Sequence, residues 1–79
     1  MPKSPAHPVL RDLGQRIKAA RARAGLSQEA AADAAGLDRS YMSGVERGVR
    51  NLSVLKLDAI AQALRTNLKT LLTSDPEGR

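Results

Sequence analysis

The chain has 79 residues, thirteen Lys and Arg against eight Asp and Glu for a net charge of +5, no cysteine, and one aromatic residue, Tyr41. That length makes one small domain, burying about 60–65% of its unfolded surface, and without cysteine there is neither a disulfide framework nor a thiolate metal site, which suits a reducing cytoplasm. The charge favours a polyanionic partner, a single ring cannot supply the stacking platforms of RNA-recognition or single-strand-binding folds, and no apolar run approaches the ~18 residues a membrane span needs.

Residues 1–8 (MPKSPAHP) carry three prolines and no apolar periodicity, so an N-terminal arm is expected, with Pro8 at or near the first position of a helix. The arm reads as a groove-tracking basic tail or as a frayed terminus, and its one fixed charge, Lys3, favours the second. His7 is a cap or a solvated side chain rather than a ligand, since one histidine without a carboxylate cluster cannot build a metal site. Helix one is expected over 9–24, with Leu10, Leu13, Ile17, Ala20 and Ala24 as its apolar stripe. Gly14 inside it costs about 1 kcal/mol relative to alanine, which suggests that another backbone comes close. Gly25 ends the helix.

From Leu26 to Arg50 the sequence reads as two short helices joined by a glycine turn. Ser27 is a ready N-cap, Glu29 suits the positive end of the helix dipole, and alanines crowd 30–35 with Asp33 as the one interruption, so a neighbour can come near. Gly36 turns the chain, Leu37 plugs the angle, and Asp38 caps the second helix. Two helices so joined are the unit that lays its second helix in the DNA major groove. Arg39 leads as base reader, because a guanidinium matches guanine O6 and N7, with Ser40 and Ser43 behind it and Gly44 in the same base-reading set. Tyr41 is expected on phosphate, and Met42 and Val45, on the opposite face, in the core.

Gly48 closes that helix and residues 49–52 form a loop. Ser53 caps a fourth helix over 54–64 with Val54, Leu57, Ile60, Ala61 and Leu64 as its inner stripe. Asn67 caps a short fifth helix over 68–73, and a polar, unstructured end follows at 74–79. Leu52, Leu55, Leu68, Leu71 and Leu72 exceed what one small core can hide. Leu68 and Leu71 are expected to cover its bottom, leaving Leu52, Leu55 and Leu72 for a homodimer interface.

The runs GLSQE at 25–29, GLDRSYMSGVERG at 36–48 and RNLS at 50–53 resemble the Cro/CI-type (XRE) helix-turn-helix regulators, and among them the restriction–modification controller proteins. The resemblance covers about 13–72 and implies an all-α, five-helix, lambda-repressor-like DNA-binding domain at 9–73, dimerising through its last helices. It implies that Arg21 pairs with Glu46, in which case removing one partner would cost about 3–5 kcal/mol by stranding the other charge; as solvated surface charges the two would contribute almost nothing. It places Gln28 on a phosphate while bracing the recognition side chains, and Arg50 and Asn51 on the sugar-phosphate backbone, with Ser27 and Arg47 placed to do the same.

Three positions depart from the family pattern. At Ala31 relatives commonly have a core leucine, whose volume Met42 must refill or a cavity must keep. At Gly44 many relatives carry a long polar reader, so Gly44 gives Arg39 a larger share of direct readout and leaves the rest to DNA shape. Arg65-Thr66-Asn67 replaces the usual glycine-led helix end, so Arg65 takes a left-handed conformation at a steric cost, or the helix ends differently.

The leading expectation is a sequence-specific regulator that binds duplex DNA as a homodimer on a near-palindrome, blocking RNA polymerase or contacting it. The alternative is an antitoxin or other protein-capture module with secondary DNA binding, which the same exposed leucines would serve. An enzyme is not expected: there is no nucleophile, base and orienting set, no phosphate loop, and neither a cofactor nor a small-molecule ligand is implied.

Overall fold

The computed structural model describes residues 7–73, and the expectations for residues 1–6 and 74–79 lie outside it. Five α-helices follow in order: α1 Pro8–Ala24, α2 Gln28–Ala35, α3 Arg39–Arg47, α4 Val54–Ala63 and α5 Leu68–Leu72. Among the described residues there is no strand. Helix α1 starts one residue earlier than its apolar stripe suggests. Pro8 occupies a first-turn position where its missing N–H costs nothing, and His7 Nδ1 accepts from Val9 N at 3.2 Å.

The helix starts follow local polar chemistry. Ser27 Oγ accepts from Ala30 N at 3.0 Å, Ser53 Oγ from Lys56 N at 3.1 Å, and Asn67 Oδ1 from Thr70 N at 2.8 Å, each satisfying one orphan donor of its helix. Asp38 is the exception and corrects the expected cap. It stands at the N-cap position with an extended backbone but makes no side-chain capping bond. Its carboxylate instead accepts from the Ser40 hydroxyl.

The core is drawn from every helix: Leu13, Ile17 and Ala20 from α1, Ala31 and Ala32 from α2, Met42 and Val45 from α3, Leu57, Ile60 and Ala61 from α4, then Leu64 and, from α5, Leu71. Helix α1 packs on α3, α2 on α3 and α4, and α5 against α1 and α4. Ala31 and Met42 are both completely buried. Leu10 and Ala24 are only half-buried, and Val54, expected inside, is 66% exposed. The reason is that residues 53–56, the N-cap and first three residues of α4, stand clear of the body, and burial on this helix starts at Leu57.

Helix α4 ends without glycine. Arg65 takes φ 61°, with Arg65 N donating to Gln62 O at 3.1 Å and Thr66 N to Ala61 O at 2.9 Å. A side chain in that region costs roughly 1–2 kcal/mol, and the two hydrogen bonds and the burial of Leu64 hold it there.

Candidate nucleic-acid interface

Helix α3 divides into two faces. Met42, Val45 and Glu46 are buried against the other helices, while Arg39, Ser40 and Arg47 are exposed and Ser43 is half-buried. Two glycines set how α3 is held. A Cβ at Gly14 of α1 would lie 2.5 Å from the carbonyl oxygens of both Val45 and Glu46, so α1 and α3 touch backbone to backbone. Gly48 ends α3 at φ +77°, and a Cβ there would meet the Arg11 backbone at 2.6 Å.

Glu46 is the one buried charged residue among those described. Arg21 Nε donates to its Oε2 at 2.6 Å and Arg21 Nη2 to its Oε1 at 3.0 Å, a two-pronged geometry that suits guanidinium and carboxylate. Gln28 Nε2 donates to the same Oε1 at 3.0 Å, and Arg21 Nη1 to the Leu26 carbonyl at 3.0 Å. Its hydrogen bonding to Glu46 holds the Arg21 guanidinium above its ordinary pKa; burial opposes this and the carboxylate charge adds to it. One carboxylate thus ties α1, the start of α2 and the end of α3 together. No buried side-chain polar atom among the described residues lacks a partner.

At the start of α3 Arg39 projects outward, and Ser40, its exposed neighbour, has its hydroxyl proton committed to Asp38, which leaves its oxygen as an acceptor. Ser27 is exposed and still has its own proton to donate while it caps α2. Tyr41 donates its hydroxyl to the Asn51 carbonyl at 3.0 Å, fixing the loop after α3 to the helix. Arg50 Cζ stands 5.5 Å, and Lys56 Nζ 5.6 Å, from the centroid of the Tyr41 ring, both at cation–π range.

Gly44 needs correcting as a base reader. It is buried, and a Cβ there would meet Arg50 Cγ at 2.5 Å, so the aliphatic stem of Arg50 lies where a groove-facing surface was expected. Leu52 is corrected as an interface residue: it is half-buried and packs on the core. Leu55 and Leu72 are 81% and 55% exposed, and Val54 beside Leu55 belongs with them by exposure. Reading from sequence also passed over Lys56, although a cation in the first turn of a helix with no acidic residue beside it is an unfavourable placement that asks for a reason.

Among the described residues no group of three or more His, Asp or Glu side chains could hold a metal ion, and no helix is long and apolar enough to cross a membrane.

A family model described as helix-turn-helix matches residues 17–71. The control protein C.SmaI of Serratia marcescens is 39% identical over 61 residues, 77% of this chain and 73% of the relative. The crystal structure of the restriction–modification controller protein C.AhdI from Aeromonas hydrophila superposes with a TM-score of 0.80 at 45% identity, covering 82% of this chain and 98% of that one. The controller protein C.Esp1396I, solved as a tetramer in complex with its natural 35 base-pair operator, matches with a TM-score of 0.76 at 34% identity over 82% of this chain and 86% of that one.

Proposed function

The chain belongs to the Cro/CI-type helix-turn-helix family of transcriptional regulators, alongside the restriction–modification controller proteins, and on that premise we propose that residues 9–73 bind duplex DNA sequence-specifically as a homodimer. The observation that carries the reading is the mounting of α3. Its inner face is locked to α1 and α2 through Glu46, while Arg39 and Ser40 are exposed and Ser43 is half-exposed on the same helix. A base-reading group held on an element that does not move loses little entropy on binding.

In this reading Arg39 takes guanine O6 and N7, Ser40 accepts from a base amino group, and Ser43 contacts a base edge. Ser27, Gln28, Arg47, Arg50 and Asn51 approach the sugar-phosphate backbone, which supplies most of the salt-dependent affinity. A twin docked on Val54, Leu55 and Leu72 would present a second α3 to the next major groove about 34 Å away, so the operator is a near-palindrome. Bound there, the dimer acts by occupancy: it excludes RNA polymerase from an overlapping promoter or touches it from upstream. The operator complex of C.Esp1396I supports this use of the fold.

The test is selection of bound duplexes from a random pool, run with the wild type and with Arg39→Ala. The expected result is an enriched near-palindrome that loses information at one symmetric base pair in the variant. Binding that fades with salt and enriches no sequence would refute specific readout, and would favour a protein partner on the exposed leucines.

A further inference from the structure

Tyr41 sits under two cations that come from different parts of the chain: Arg50, from the loop after α3, and Lys56, from the first turn of α4. Neither takes part in the ion pairs formed among the described residues, which join Arg16 to Asp12 and Arg21 to Glu46. The first turn of α4 also contains no acidic residue, so the positive end of the helix dipole adds to the Lys56 charge. Two cations thus meet at one ring, and the repulsion between them is relieved by an anion.

The cluster is built rather than incidental. Gly44 leaves the space that the Arg50 stem fills, since a Cβ there would lie 2.5 Å from Arg50 Cγ. The Tyr41 hydroxyl bond to the Asn51 carbonyl holds the loop carrying Arg50 against the ring. Ser53 fixes the start of α4, and with it the backbone of Lys56, through the capping bond from Lys56 N.

We propose that Arg50 and Lys56 form a two-cation clamp for the DNA sugar-phosphate backbone, mounted on the Tyr41 ring, with Gly44 as the residue that makes room for it. The inference rests on the DNA-binding reading and deepens it. It adds Lys56 to the interface and makes Tyr41 a positioning residue, which acts on the phosphates through the two cations rather than through its own hydroxyl.

The experiment is a duplex-binding titration across a salt series on the selected operator, with Lys56→Gln, Arg50→Gln, Tyr41→Phe, Tyr41→Leu and Gly44→Ala. Each lost phosphate contact should make the slope of log K against log salt shallower by about 1. Lys56→Gln and Arg50→Gln are each expected to do so while leaving the sequence preference intact. Tyr41→Phe keeps the ring but loses the hydroxyl bond that holds the loop to it, and should fall between the wild type and Tyr41→Leu. Tyr41→Leu should weaken binding about tenfold in the wild type, and should add almost nothing once both cations are gone. Gly44→Ala should displace Arg50 and lose affinity as Arg50→Gln does, with a melting temperature no lower than that of the wild type.

In the free protein, ring-current shifts of the Arg50 and Lys56 side-chain protons should be present in the wild type and Tyr41→Phe and absent in Tyr41→Leu. An unchanged salt slope in Lys56→Gln, an equal loss from Tyr41→Leu with and without the cations, or missing ring-current shifts overturns the clamp while the regulator reading stands. A wild type that binds no duplex overturns both.

Discussion

The Gly14 Cα rests against the backbone of Glu46 so closely that a methyl group in its place would lie 2.5 Å from the Glu46 carbonyl oxygen. The obstacle is main chain, which cannot rotate away as a side chain can. Gly14→Ala therefore forces α1 and α3 apart, and α3 is the helix offered to DNA. Overpacking of this kind costs about 1–3 kcal/mol, against a gain of about 1 kcal/mol in helix propensity. A melting temperature lowered by several degrees is expected in a thermal unfolding experiment, and an unchanged one would show that the helices can separate without loss.

Arg21 and Glu46 share two hydrogen bonds, with the glutamate side chain 4% exposed and the arginine 16%. Arg21→Ala leaves Glu46 with Gln28 as its remaining side-chain donor, and the stranded carboxylate should cost about 3–5 kcal/mol in urea unfolding. Replacing both partners, Arg21→Met with Glu46→Leu, should recover much of that loss because no charge is left buried. A double variant as unstable as the two single ones added together would refute the coupling. Because the hydrogen bond raises the Arg21 pKa, the pair's contribution is complete below the ordinary arginine value and is lost only as alkali passes the raised one.

Arg65 holds a left-handed backbone without the freedom of glycine. Arg65→Gly removes about 1–2 kcal/mol of steric cost and gives back part of it through the greater entropy of the unfolded chain. A net stabilisation of about 0.5–1 kcal/mol should appear as a higher denaturant midpoint with unchanged slope. A lower midpoint would mean that the Arg65 side chain contributes more than its backbone costs.

Val54, Leu55 and Leu72 expose apolar surface that the fold itself does not cover. Leu55→Lys places a charge at the most exposed of them and should turn a dimer into a monomer by sedimentation equilibrium, with thermal stability falling through lost association. Leu52→Lys differs: Leu52 packs on the core, so it should lower stability even at dilutions where the chain is monomeric. If Leu55→Lys sediments as the wild type does, the interface lies elsewhere.

Most helix starts and ends could be read along the chain, because those signals are local. Ser27, Ser53 and Asn67 satisfy N–H groups three residues on, and Gly25, Gly36 and Gly48 turn left-handed within their own peptide units. Apolar spacing likewise marked Leu13, Ile17, Leu57, Ile60 and Leu64 as inward, and the cost of Gly14 in a helix announced a close backbone neighbour without saying which. The all-helical fold and its family were legible for that reason, together with the runs at 25–29, 36–48 and 50–53.

Relations between residues far apart in the chain depend on how the helices pack. Spacing alone does not show that Gln28 shares Glu46 with Arg21, that the Arg50 stem fills the space over Gly44, or that Lys56 and Arg50 meet at one ring. Periodicity also misplaced Val54, as the count of surplus leucines misplaced Leu52. Periodicity reports which face of a helix a residue occupies and not how far the neighbouring body extends along that face. Asp38 shows the same limit at short range, since its carboxylate had two donors within reach, the helix N–H groups and the Ser40 hydroxyl, and bonds the hydroxyl.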